Sequence, residues 1–228
     1  MLPWHMPVRK IPKNYLSVTG AFSSRKNGKS LGYESLLERD LMILLEFDDS
    51  VERFEEQPVK IPFSVAGKAK KSYVPDILIH YLPSPAGEAH RAVLGEVKHT
   101  DYLNKHKADY APKFEAAARY AGERDWEWRI FTEKDIRSPY LDNLKFLREY
   151  HSAEPAVSLQ QEVIDHLRHA RAPVTIESVL QQLCPTDDRK LLVAPVVWHL
   201  IATERIAANL KKPLDLTSKL SLPNEVTR

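Results

Sequence analysis

Tyr73-Val74-Pro75-Asp76-Ile77-Leu78-Ile79 and, after a turn, Val93-Leu94-Gly95-Glu96-Val97-Lys98 are the stretches whose reading decides the fold. Asp76 and Glu96 each border a strongly β-prone apolar run, and a lysine stands two positions beyond the second carboxylate. Side chains repeat every two residues on a strand, so Glu96 and Lys98 share one face while Val97 points into the core. Asp76 and Glu96 lie 20 positions apart, room for two paired strands and one loop. Two carboxylates and a lysine on neighbouring strands are what metal-dependent phosphodiester hydrolysis requires. The carboxylates hold Mg²⁺, and the lysine orients or activates the attacking water.

The flanking sequence supplies the frame. Leu37, Leu41, Met42, Leu44 and Leu45 fall on one arc of a helix over 32–47, and Glu34 and Glu38 lie inside that apolar arc. A buried, unpaired carboxylate costs several kcal/mol, so one of these glutamates needs a partner, and a shared metal is one candidate. Alternation at Val59, Ile61, Phe63 and Val65 predicts a strand over 58–65. Strands over 72–81 and 91–98 follow, then a helix from Tyr102 or Asp109 to Tyr120, a strand over 126–131, a turn capped by Thr132, and a helix over 139–150. This order predicts an α/β fold, a mixed sheet flanked by helices.

Composition shifts near 151, where Ser152-Ala153-Glu154-Pro155 reads as a linker. Beyond it come a helix over 158–170, a second one capped by Thr175, a third from 185 to Thr203 that Pro195 kinks or splits, and two short strands at 205–210 and 214–216. Three helices and a two-stranded wing form a winged-helix pattern. Between Leu191 and Ala202 only His199 is polar. A helix reading the major groove needs Arg, Lys, Asn or Gln, so this one suits a protein partner better than DNA. The expected division is a basic arm over 1–30, a catalytic domain over 31–150 and a winged-helix-like domain over 151–228.

Charge and special residues narrow the classes. Net charge is +2, but Arg9, Lys10, Lys13, Arg25, Lys26 and Lys29 fall in an acid-free segment, and Lys68, Lys70 and Lys71 with Lys105 and Lys107 form two further clusters. All three are candidate phosphate contacts, with ordinary solvated lysines as the alternative. The single cysteine, Cys184, excludes an internal disulfide and a cysteine-based zinc site. His166 and His169 are two ligands at most and make no site. No apolar run reaches the roughly 18 residues of a membrane span, and the N-terminus lacks a signal peptide's apolar core. A cytoplasmic location is the expectation.

Neither half of the central pattern is specific alone. Pro-Asp arises about once by chance in a chain like this, and an acid-x-Lys triplet about two or three times. Asp188-Arg189-Lys190 is a second triplet, without a strand to hold it. Each carboxylate also has a bland alternative, a salt bridge or a turn cap, and the order Glu, Asp, Glu-x-Lys is what favours a site.

With Glu38, Pro75-Asp76 and Glu96-Val97-Lys98 in place, the chain resembles the restriction-endonuclease-like nucleases, whose motif is written PD…(D/E)xK. Within them it is similar to the TnsA-type endonucleases that cleave transposon ends. The resemblance also rests on Tyr33-Glu34-Ser35-Leu36-Leu37-Glu38-Arg39-Asp40, Leu45-Glu46-Phe47-Asp48, Phe54-Glu55-Glu56-Gln57-Pro58 and Phe131-Thr132-Glu133-Lys134-Asp135-Ile136. It spans about 25–150, and 151–228 fits the family's second domain more loosely. Some members carry glutamine where this chain has Glu96, the better Mg²⁺ ligand.

The resemblance selects Glu38 over Glu34. It implies a Mg²⁺-dependent DNA endonuclease with one or two metal ions, Mn²⁺ substituting. Asp76, Glu96 and the Val97 carbonyl would be ligands, Glu38 would hold a second metal or its water, and Lys98 would position the nucleophilic water. The implied substrate is double-stranded DNA at the transposon end, cut on the strand that a DDE-type transposase leaves, with an AAA+ regulator as a further partner. The alternatives are a restriction, repair or junction-resolving nuclease with the same site, or a non-catalytic DNA-binding adaptor. Gln57 either faces the site or fixes the start of a strand by a hydrogen bond.

Overall fold

The computed structural model describes residues 18–65, 71–170 and 173–223. The chain divides into two compact units between Arg137 and Ser138. This lies well ahead of the change in composition near 151. The helix over 139–150 belongs with the second unit, because Leu147 is buried in that unit's core.

The first unit is built on a four-stranded sheet in the order β3-β6-β7-β8, from β3 (Val51–Glu56), β6 (Ile77–Tyr81), β7 (Val93–Val97) and β8 (Glu127–Phe131). The first two pairings are antiparallel, and β7 pairs parallel with β8. The expected mixed α/β sheet is therefore present. The connection from β7 to β8 runs through α2 (Thr100–Lys105) and α3 (Lys107–Gly122), so the single expected helix is two that meet at His106. After β8 comes α4 (Glu133–Ile136), capped by Thr132 with Asp135 returning the bond.

All five residues of β7 are buried, as a central strand requires. Gly95 lies opposite Ile77 on β6 and Arg129 on β8. A Cβ there would stand 2.7 Å from the Phe131 ring and 2.9 Å from a methyl of Ile77. We expect Gly95→Ala to lower stability by about 1–3 kcal/mol, read as a lower denaturation midpoint at unchanged slope.

Strand β3 was not predicted. Glu52, Arg53, Glu55 and Glu56 hide it, since four charges in six residues erase the apolar alternation. The fold accepts Glu55 in the interior because His80 Nε2 lies 3.1 Å and Arg53 Nε 3.7 Å from its carboxylate. The expected strand over 72–81 is two strands. Its first part, β5 (Lys71–Tyr73), leaves the main sheet and pairs with β4 (Ile61–Phe63) as a separate hairpin. Val74, Pro75 and Asp76 span the break.

The expected arm over 1–30 is corrected in its last third; residues 1–17 lie outside the described ones. β1 (Gly20–Ser24) and β2 (Lys29–Tyr33) form an antiparallel hairpin with Phe22 and Leu31 fully buried. Gly32 and Tyr33 therefore end a strand, and the helix begins later, as α1 (Leu36–Phe47). Ser35 sets that start, because its side chain accepts the Glu38 N–H.

The second unit contains α5 (Pro139–His151), α6 (Val157–His169), β9 (Val174–Thr175), α7 (Ile176–Leu183), α8 (Asp187–Ala202), β10 (Ala207–Ala208) and β11 (Lys219–Ser221). Val163, Val179, Val197 and Leu200 are fully buried at its centre. Thr175 caps α7 as expected. Pro195 neither splits α8 nor ends it. The short sheet has three strands in the order β10-β11-β9, and its last strand falls at Lys219–Ser221 instead of 214–216. Asn143 explains the shift: its buried amide donates to the carbonyls of Leu210 (2.8 Å) and Lys212 (2.7 Å) and accepts the Leu214 N–H (3.0 Å), fixing that segment as a loop.

Candidate active site

The break before β6 places the site. The Asp76 N–H donates to the Gly95 carbonyl at 3.0 Å, and the Asp76 carbonyl accepts the Gln57 N–H at 3.0 Å. Main-chain bonds from two directions therefore hold this residue at the mouth of the sheet. Gln57 is buried with φ at +45°, a left-handed turn at the end of β3. Its main chain plays the strand-fixing role.

Asp76, Glu96, Val97 and Lys98 come together. Asp76 Oδ2 accepts the Val97 N–H at 2.8 Å. The Lys98 ammonium lies 3.2 Å from Asp76 Oδ2, 3.0 Å from Glu96 Oε1 and 3.1 Å from the Val97 carbonyl. It thus touches all three oxygen sources expected to bind a divalent cation. Glu96 is 3% exposed, and its Oε2 accepts the Tyr73 hydroxyl.

Glu38 stands at the first turn of α1. Its Oε2 accepts the Glu34 N–H at 2.8 Å and its Oε1 the Ser35 hydroxyl at 2.9 Å. The charges of Asp76 and Lys98 both act on it. Glu34 contributes its peptide N–H, which separates the roles of two glutamates that periodicity left equivalent.

The electrostatics show a site short of positive charge. Burial, and then the neighbouring Asp76, push both Glu38 and Glu96 up to about 7. Burial alone lowers the Lys98 ammonium, but Asp76 and Glu96 outweigh it and hold the group well above its ordinary value. Lys98 is therefore a fixed cation and not a base. If ionised, three carboxylates against one ammonium leave a surplus of negative charge that a divalent ion would balance. Among the described residues, no three His, Cys, Asp or Glu side chains gather tightly enough to hold an ion by themselves. Two carboxylates and a carbonyl do fit Mg²⁺, which keeps several waters and binds through few protein oxygens.

Two residues outside the expected set support the site. Tyr73, which ends β5, reaches Glu96. Glu133 lies on α4, where its Oε2 accepts the Thr100 N–H at 2.9 Å. That bond, more than any other cause, holds its carboxyl down to about 2. It ties the first turn of α2, directly behind Lys98, to the end of β8. Both contacts join segments far apart in sequence, so no local spacing signals them.

The basic residues scatter. Lys105 and Lys107 are exposed on either side of the α2–α3 corner, and Lys71 is exposed on β5. Lys70 lies outside the described residues, as do Arg9, Lys10, Lys13 and Lys68. Arg25, Lys26 and Lys29 belong to the first hairpin. Buried Glu46 accepts the Ser24 hydroxyl (2.7 Å) and the Arg25 N–H (2.8 Å), and the Arg25 guanidinium lies 3.4 Å away. Lys26 Nζ donates to the carbonyls of Asp48 and Val51, both at 2.6 Å, just past the C-terminal end of α1. Lys26→Met is expected to cost about 1 kcal/mol of stability in a urea titration and to leave the salt dependence of DNA affinity unchanged. A shallower salt slope at full stability would make Lys26 a phosphate contact instead.

A mixed sheet that brings two carboxylates, a carbonyl and a lysine together at the ends of its two central strands defines a candidate phosphodiester-cleaving centre. Comparison with known families gives the particular one. Residues 48–133 match the profile described as TnsA-like endonuclease N terminal, and 135–210 match TnsA endonuclease C terminal. The chain belongs to the TnsA endonuclease family. The two matches meet close to the division between the units, and the first includes Asp76, Glu96 and Lys98 while Glu38 precedes it. No individually curated protein matches the chain at a significant level. No helix among the described residues is long and apolar enough to cross a membrane.

Proposed function

We propose that the protein is a Mg²⁺-dependent DNA endonuclease that cuts transposon ends during cut-and-paste transposition, on the strand its partner transposase leaves intact. The observation that carries this reading is the convergence of Asp76, Glu96 and the Val97 carbonyl on the Lys98 ammonium. Asp76, Glu96 and Val97 would hold the metal, and Glu38 would hold a metal-bound water or a second ion. Bound there, Mg²⁺ supplies Lewis-acid polarisation of the scissile phosphate and lowers the pKa of a coordinated water. Lys98 orients that water and offsets the charge growing on the phosphorus oxygens. Exposed Lys105 and Lys107, with Lys29, Lys70 and Lys71, are the candidate contacts to duplex phosphates.

Family membership supports a DDE-type transposase and an AAA+ regulator as partners and a cytoplasmic location. In the second unit, the order helix, strand, two helices, two strands from α6 to β11 fits a winged helix. Leu191 is 75% and Leu192 58% exposed on α8. Exposed leucines at that position favour a protein contact over a DNA groove.

The test uses the full chain with its transposase, marked transposon ends and Mg²⁺. Asp76→Ala and Lys98→Ala should each abolish second-strand cutting while first-strand cutting by the transposase continues. Intact second-strand cutting by Asp76→Ala would sink the site assignment. Cutting of generic or branched DNA by the chain alone would favour a restriction or junction-resolving enzyme.

A further inference from the structure

We propose that Tyr73 is a positioning residue that confines Glu96 to one metal-facing oxygen and so biases the site toward Mg²⁺ and against Ca²⁺. The inference rests on the metal-site reading above and adds a reason for cation choice.

Tyr73 approaches from outside the main sheet. It ends β5, and the residue is 8% exposed. Phe114 and Trp128 pack edge-on against it, each with ring centroids 6.3 Å away at 60° and 80°. This packing fixes the direction of the hydroxyl, which donates to Glu96 Oε2. A tyrosine hydroxyl keeps its proton at neutral pH and a carboxylate oxygen can only accept, so the phenol is the donor in this bond. The other oxygen, Oε1, faces the point where Asp76 and the Val97 carbonyl converge.

A carboxylate with one oxygen taken by a rigid donor can offer a metal only the other. Mg²⁺ accepts this, since it takes six oxygens in a strict octahedron and retains water. Ca²⁺ takes more oxygens at longer range and commonly uses carboxylates through both. Glu96 held by Tyr73 gives Ca²⁺ one ligand where it would use two. Fixing a ligand's geometry through an outer hydrogen bond commonly changes metal affinity by about 10–100-fold.

The experiment measures Mg²⁺ and Ca²⁺ binding to the full chain by calorimetric titration, for wild type and Tyr73→Phe. Phenylalanine retains the ring between Phe114 and Trp128, and a melting curve confirms that the variant is folded. The expected result is a rise of about tenfold in the preference for Ca²⁺ over Mg²⁺. A merely structural role would weaken both ions alike. An unchanged preference overturns the proposal while leaving the metal site standing, provided wild type binds Mg²⁺ and Asp76→Ala does not. If wild type binds neither ion, the metal-site reading falls and this inference with it.

Discussion

Lys98→Met is expected to tighten Mg²⁺ binding to the isolated chain by about tenfold or more, while lowering cleavage by at least about a hundredfold. The two effects have opposite signs because the ammonium has two relations to the cation. In the metal-free site it touches Asp76, Glu96 and the Val97 carbonyl, so an incoming ion must displace it or share those oxygens. Two cations about 4 Å apart repel by several kcal/mol even at an effective dielectric constant near 20. Methionine removes the competitor and keeps most of the side-chain volume. Cleavage suffers because the charge growing on the phosphate loses its nearest fixed cation. Binding should be measured calorimetrically at about pH 8.5, so that protons do not take the ammonium's place on the carboxylates. Lys98→Arg, which keeps the charge, should not tighten binding. Weaker Mg²⁺ binding by Lys98→Met would show that the lysine supports the ion and does not compete with it.

Glu96→Gln is expected to raise the melting temperature of the metal-free protein by about 5 °C at pH 8, and to lower cleavage, since glutamine is the poorer Mg²⁺ ligand. Glu38 and Glu96 rise from an ordinary value of 4.5 to about 7 in the folded chain. Between those values the folded state binds more protons than the unfolded one, so stability falls as pH rises through the window. Below about pH 4.5 these groups carry no penalty, and above about 7 they carry all of it. For Glu96, buried almost completely, the penalty is on the order of 3 kcal/mol. Glutamine removes the charge, so the gain should appear at pH 8 and vanish at pH 5. Saturating Mg²⁺ should reverse the order, stabilising wild type more than the variant. A melting temperature for metal-free wild type that climbs steadily from pH 5 to pH 8 would contradict this account.

The sequence was legible where local pattern and fold agree. Strand β7 could be read because a central buried strand is a continuous apolar run, and its Glu96-x-Lys98 spacing places both side chains on one face. Strand β3 could not, because its acids are made tolerable by His80 and Arg53, which alternation does not reveal. Asp76 was found as a residue but placed within a strand. Its actual position, in the gap between β5 and β6, depends on β5 leaving to pair with β4. In the basic run at 25–29, Arg25 contacts Glu46 and Lys26 contacts two carbonyls near the end of α1, which composition does not reveal. Charge composition cannot tell a lysine facing solvent from one facing a helix end. Tyr73 and Glu133 lie in segments that resemble the family, but their contacts are not legible from spacing, since each acts on a residue more than 20 positions away.

Asp76 is anchored through peptide groups: its N–H to Gly95 and its carbonyl to Gln57. The location of the carboxylate is thus encoded in the path of the chain as well as in its contact with Lys98. An inserted or deleted residue between Gln57 and Gly95 would break this main-chain register and misdeliver the acid.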